Sequence, residues 1–243
     1  VWQYAQAEHI ASQYDEFFAE NRLFDFDEQV LAKHLCQPGL VVDLGCGTGR
    51  ALLPFARRGF PCLAVDLSQR MLGIVGQKAA SEGLAIHRLR ANLVELGCLR
   101  DGVADYCICL FSTLGMILGE ENRRQVLAHV RRILKPGGLL VLHVHNLWYS
   151  VFDAPGRRWL AGHLVRWLVR RDVQRGDKFF DYRRIPKMYL HTFTRRELVG
   201  GLRAAGFSIR EMIPLGVGRT RPLCCGWFLG WLRANGWIVV AAA

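Results

Sequence analysis

The stretch Val41-Val42-Asp43-Leu44-Gly45-Cys46-Gly47-Thr48-Gly49-Arg50 constrains this chain more than any other, because an apolar run breaks there into alternating glycines and then resumes with helical spacing. The pattern predicts a strand, a tight loop and a helix. Glycines at alternate positions let the backbone take positive φ and approach a ligand closely, and the following helix turns free N–H groups and its positive dipole end toward that ligand. A polar, partly anionic ligand is expected there. The other reading is a glycine turn that only joins strand to helix.

A dinucleotide fingerprint runs G-x-G-x-x-G, its third glycine making room beneath a pyrophosphate. Here Arg50 stands where that glycine would be, which argues against a pyrophosphate and for an amino-acid carboxylate and ammonium beside Asp43. At this point the residues resemble the class I S-adenosylmethionine-dependent methyltransferases, whose first motif has the form hhDhGCGTG (h apolar), matched from Val41 to Gly49 without a departure. The wording is similar to the small-molecule branch, which includes the ubiquinone/menaquinone-type methyltransferases. The resemblance covers residues 38–145 well and 191–243 in part, and leaves 147–190 uncovered.

At 243 residues the chain suits one α/β domain with a modest insertion. Eight cysteines without C-x-x-C pairs or Cys/His ligand spacing read as reduced thiols. Nothing near the first residues pairs a charged stretch with an apolar one as a secretion signal does, so a cytoplasmic location is expected. A net charge of +11 invites a polyanionic partner such as nucleic acid, but no RNA-module signature accompanies it, and a basic enzyme is the favoured reading.

Residues 1–38 carry apolar positions spaced by threes and fours, which predicts one or two amphipathic helices. In related methyltransferases such a segment, with a pair like Tyr14-Asp15, closes over the cofactor; Tyr14 as a core aromatic is the alternative. Cys62 to Asp66 is an apolar run ending in an acid, suited to a buried parallel strand, and Ser68 is the natural cap of the next helix. A carboxylate at that strand's end can accept both hydrogen bonds of a ribose diol. The wording Val65-Asp66-Leu67-Ser68-x-x-Met71-Leu72 is similar to the second family motif. Ala85 to Leu89 is the expected third strand, followed by Asn92-Leu93. The family commonly has an acid at the Asn92 position to receive the adenine amino group; the amide oxygen of Asn92 can still accept, without charge assistance, and a turn-forming Asn is the alternative.

Ala104 to Phe111 is the expected fourth strand, with Phe111 at its ligand end. A helix from Arg123 to Leu134, stopped by Lys135-Pro136-Gly137-Gly138, leads to a fifth strand from Leu139 to His145. His145 lies nearest the carboxyl end, where it could take a proton from an O–H or N–H nucleophile, while a packing histidine is the alternative. Two histidines without a third ligand offer no metal site. Residues 147–190 hold ten basic residues against four acids, with a basic amphipathic helix expected over 157–171. This insertion is read as a substrate lid, its charges a solvated face, with an anionic lipid surface or an acceptor bearing phosphate or carboxylate as the alternative. Thr194 and Glu197 are spaced as a capping box. Strands are expected at 207–214 and 237–242, and the apolar run 222–236 is expected to form a short helix packed on the sheet, being too short to span a membrane.

The fold expectation is therefore an α/β, doubly wound, mostly parallel seven-stranded Rossmann-like sheet in a single domain. It divides into a helical cap (1–38), a cofactor-binding core (39–146), an inserted lid (147–190), and a C-terminal helix with closing strands (191–243). The resemblance implies S-adenosyl-L-methionine as cofactor, with Asp43, Gly45 and Gly47 at its methionine part, Asp66 at the ribose, Asn92 and Leu93 at the adenine and Phe111 as the apolar wall, and with Cys46, Leu67 and Met71 also among the cofactor-binding residues. His145, Tyr14 and His191 are the candidates for substrate chemistry, and the acceptor is a small molecule, anionic or lipid-like among the options. An RNA methyltransferase, a nicotinamide-dependent oxidoreductase and a non-catalytic cofactor-binding protein are the rival readings.

Overall fold

The structure is a computed structural model describing residues 25–170, 173–182 and 185–243. The expected N-terminal cap, with Tyr14, lies mostly outside the described residues. What is described of it is helix α1 (Asp25–His34), which buries Phe26, Asp27, Val30 and Leu31.

The strands β1 (Val41–Leu44), β2 (Cys62–Asp66), β3 (Ile86–Arg90), β4 (Ala104–Cys109), β5 (Leu134–His145), β8 (Ser208–Pro214) and β9 (Gly236–Ala242) form one sheet in the order β3-β2-β1-β4-β5-β9-β8. The first five strands are mutually parallel and β9 runs antiparallel between β5 and β8. All four residues of β1 are buried, as a parallel strand covered on both faces requires. Chain order reverses between β1 and β4, and in an open parallel sheet the crevice at such a switch point, at the carboxyl ends of the strands, holds the ligand.

Helices α2 (Leu53–Arg57), α3 (Gln69–Ser81), α4 (Glu120–Ile133) and α6 (Arg195–Ala204) connect these strands, and apolar clusters lie on the two faces of the sheet. Ser68 caps α3 by accepting from the Met71 N–H, and Thr194 and Glu197 form the reciprocal capping box of α6. The insertion folds as a 3-10 turn (Leu147–Phe152), helix α5 (Ala154–Val169) and a hairpin of β6 (Asp177–Tyr182) with β7 (Ile185–His191).

Four expectations need correction. The helix after the glycine loop begins at Leu53 rather than Arg50, because the Gly49 carbonyl receives the N–H groups of both Leu52 and Leu53 and spends residues 50–52 on turns. The fifth strand begins at Leu134 rather than Leu139: Leu134 is extended and pairs with Ala104, and Lys135-Pro136-Gly137-Gly138 becomes an irregular part of the strand bonded to Ala243. Helix α5 starts earlier than the basic pattern suggested, at Ala154, because the Asp153 side chain accepts from the Gly156 N–H and caps it. The run 222–236 contains only the single turn α7 (Gly230–Arg233), with Trp227 86% exposed and Cys225 and Leu229 at positive φ breaking any longer helix. Among the described residues no helix is long and apolar enough to cross a membrane.

Candidate active site

The carboxyl ends of β1, β2, β3 and β4 enclose a cleft of about 840 Å3, counting its open mouth. Eight of the ten residues expected around a cofactor line it: Gly45, Gly47, Asp66, Leu67, Met71, Asn92, Leu93 and Phe111. The wall beyond Phe111 comes from Thr113, Met116 and Ile117, on and just after a 3-10 turn following β4. Sequence reasoning missed Met116 and Ile117; only their position shortly after a strand's carboxyl end pointed to them. Phe111 and Ser112 take positive φ (52° and 61°), which turns the chain sharply off β4.

The glycine loop differs from expectation in an informative way. The N–H groups of Gly45 and Cys46 both donate to the Val65 carbonyl, that of Gly47 donates to Asp66 Oδ2 at 2.9 Å, and that of Gly49 donates to the Cys46 carbonyl. These amides brace the loop against β2 and are not free for an anion. A helix of only five residues follows, so the expected anion cradle at a helix N-terminus is also absent. What the loop contributes is closeness: Gly45 has φ +78°, and a Cβ on it would stand 2.4 Å from Thr113 Cγ2.

Asp66 sits in the cleft with Oδ2 receiving Gly47 N–H and Oδ1 receiving Ser68 N–H at 2.8 Å. Each carboxylate oxygen keeps a lone pair for a ligand donor. Burial raises its pKa above the ordinary value, and the backbone N–H bonds from Ser68 and Gly47 counter part of that rise. Asp43 is buried under the loop, its Oδ2 has no partner, and burial together with the nearby Asp66 pushes its carboxyl up to about 8. Cys46 is buried beside it with a raised pKa, chiefly from burial, so it packs as a neutral thiol. Asp43 and Cys46 therefore support the cleft from behind without lining it. Asn92 Oδ1 accepts from the Val94 N–H at 3.2 Å, the turn geometry weighed against adenine recognition, and one lone pair of that oxygen remains.

The candidates for substrate chemistry separate. His145 is half-buried at the end of β5, with Nε2 3.4 Å from Arg219 Nη1, and Arg219 lies 5.3 Å over the Phe111 ring. Burial first, and then the Arg219 charge, hold the His145 pKa well below the ordinary histidine value, so the ring is neutral at neutral pH, the form a base requires. It stands beyond Phe111 and is not part of the cleft lining. His191 is corrected to a structural role. It is buried, its Nδ1 donates to Asp177 at 2.8 Å and its Nε2 donates to Glu197 at 2.7 Å. Burial alone would lower its pKa, but the bonds to the two carboxylates outweigh burial and raise it. A protonated ring with both nitrogens engaged clips the hairpin to α6 and has no lone pair for a substrate proton. His143 is fully buried against Asp27 at 3.1 Å, behind His145. Among the described residues no cluster of three or more His, Cys, Asp or Glu is arranged to hold a metal.

A family model described as a methyltransferase domain matches residues 41–138, the segment that forms β1 to β4 and the start of β5. Over that segment the chain is similar to methyltransferase domains. A Geobacillus sp. (strain WCH70) protein named as a methyltransferase is 32% identical over 148 residues, 58% of each chain. The chain spans about half the length of the curated relatives it matches. The crystal structure of a SAM-dependent methyltransferase from Methanosarcina mazei superposes with a TM-score of 0.70 at 18% identity, covering 88% of this chain and 96% of the other. Burkholderia thailandensis 1,6-didemethyltoxoflavin-N1-methyltransferase, solved with its substrate and S-adenosylhomocysteine, gives a TM-score of 0.65 at 17% identity, covering 99% of this chain and 88% of that one. These likenesses show that the chain shares the fold of those structures, and its cleft lies at the switch point of that fold.

Proposed function

We propose that this protein is a methyltransferase that uses S-adenosyl-L-methionine and transfers its methyl group to a small-molecule acceptor. The observation that carries the reading is the polarity of the cleft: Asp66 faces it with spare lone pairs, while the N–H groups of Gly45, Cys46, Gly47 and Gly49 are already engaged. A site that accepts hydrogen bonds suits ribose hydroxyls, an amine and a sulfonium. It does not suit a dinucleotide pyrophosphate, which needs free donors.

S-Adenosyl-L-methionine supplies a methyl group already activated on sulfur. Asp66 holds the ribose diol, Asn92 and Leu93 meet the adenine edge, and Leu67, Met71 and Phe111 exclude water from the ring faces. Holding the acceptor close and in line contributes most of the acceleration, with His145 available where the nucleophile has a proton to lose. In this reading the described part of the insertion, α5 with the β6–β7 hairpin, serves as the lid over the acceptor. Turnover of methyl-labelled cofactor against fractionated cell metabolites and RNA tests the proposal: label entering a metabolite fraction supports it, label entering RNA alone replaces the acceptor class, and no transfer to any fraction overturns it.

A further inference from the structure

Arg219 lies in the turn after β8, at the same end of the sheet as the carboxyl ends of β4 and β5. Its backbone φ of 57° is strained for a non-glycine residue, and its N–H bonds the Gly216 carbonyl to close the turn. A guanidinium has five N–H donors. Among the described residues these find one hydrogen-bond contact, the 3.4 Å approach to His145 Nε2, together with the face of Phe111. No carboxylate of the described residues lies within 4.0 Å of it. A half-buried cation with no carboxylate in contact is costly unless a ligand supplies one.

The surroundings point the same way. Among the charged groups of the described residues, Lys178 adds a second positive charge near the imidazole, and Asp27, bonded to His143 through Oδ2, is the carboxylate that acts on Arg219. Arg219 and Lys178 against Asp27 leave an excess of one positive charge. Phe111, whose ring Arg219 covers at 5.3 Å, is itself part of the cleft lining, so the guanidinium stands at the edge of the cleft.

We propose that Arg219 binds a carboxylate of the methyl acceptor, next to the rings of Phe111 and His145 at the edge of the cofactor cleft. The planar fork of the guanidinium matches a carboxylate in two parallel hydrogen bonds, and the aromatic walls suit a planar, conjugated acid. The assignment rests on the methyltransferase reading for the word acceptor, but its test does not require turnover.

The test titrates benzoate and its neutral isostere benzamide into protein saturated with S-adenosylhomocysteine, for the wild type, Arg219→Gln and Arg219→Lys, each checked by thermal unfolding. Wild type should prefer benzoate at least tenfold, Arg219→Lys should keep part of that preference, and Arg219→Gln should lose it. Equal affinity for the two probes in the wild type, no binding of either, or an unchanged preference in a folded Arg219→Gln overturns the carboxylate site. Failure of the wild type to bind S-adenosylhomocysteine in a preceding titration overturns the methyltransferase reading instead, and the benzoate comparison is then made without it.

Discussion

Replacing Asp43 by Asn turns the titratable group beneath the cleft into a neutral amide of the same shape, and the change is read in how stability depends on pH. Asp43 is 3% exposed, one of its oxygens is unpartnered, and burial with Asp66 nearby moves its carboxyl from 3.8 up to about 8. The folded state therefore keeps a proton across an interval in which the unfolded chain has lost it. Unfolding releases that proton, so the contribution of Asp43 to stability is highest below its unfolded value, falls as pH rises, and levels off above about 8. Each pH unit in the interval corresponds to about 1.4 kcal/mol, so between about pH 5 and about pH 8 the wild type loses up to about 4 kcal/mol that Asp43→Asn retains. Urea unfolding of both proteins across that range measures the difference directly. The variant's stability relative to wild type should climb steadily with pH. A difference that stays flat would show that Asp43 titrates as an ordinary carboxylate, and the argument from the buried, orphaned oxygen would be refuted.

Two further outcomes follow from the same geometry. Gly45→Ala puts a Cβ 2.4 Å from Thr113 Cγ2 at φ +78°. It should destabilise the protein by about 1–3 kcal/mol and weaken S-adenosylhomocysteine binding at least tenfold, with unchanged affinity counting against the close approach of the loop. Ring resonances of the histidines in NMR titrations should separate His145, titrating below the ordinary histidine range, from His191, titrating above it. The stability that His191 contributes is present below the ordinary histidine value and lost as pH rises through its raised folded value. Ordinary titration of both rings would contradict the pairing described here.

Much of the cleft lining was legible because its chemistry is local. The alternating glycines, the acid that ends β2 and the Ser68 cap each follow from a few neighbouring residues, and a doubly wound, mostly parallel sheet follows from alternating strands and helices. What was not legible depends on register between distant segments. Gly45 and Cys46 N–H groups are consumed by Val65 only because β1 and β2 pair as they do, so the expected anion cradle vanishes. His191 stood among the candidates for substrate chemistry, but pairing in the hairpin sets Asp177 directly across from it, and the capping Glu197 closes its other side. Arg219 carried no motif at all; its place beside Phe111 and His145 comes from the turn after β8 folding over the end of the sheet.

The central claim is that the cleft over β1, β2 and β3 binds the methyl donor through Asp66. Calorimetric titration of S-adenosylhomocysteine into the wild type and Asp66→Ala tests it most directly, since the substitution removes the acceptor for the ribose diol and leaves the loop's Gly47 N–H without its partner. One bound ligand per chain in the wild type, with at least tenfold weaker binding in a folded Asp66→Ala, is the predicted result. Equal affinity in the two proteins, or no binding to the wild type, would contradict it.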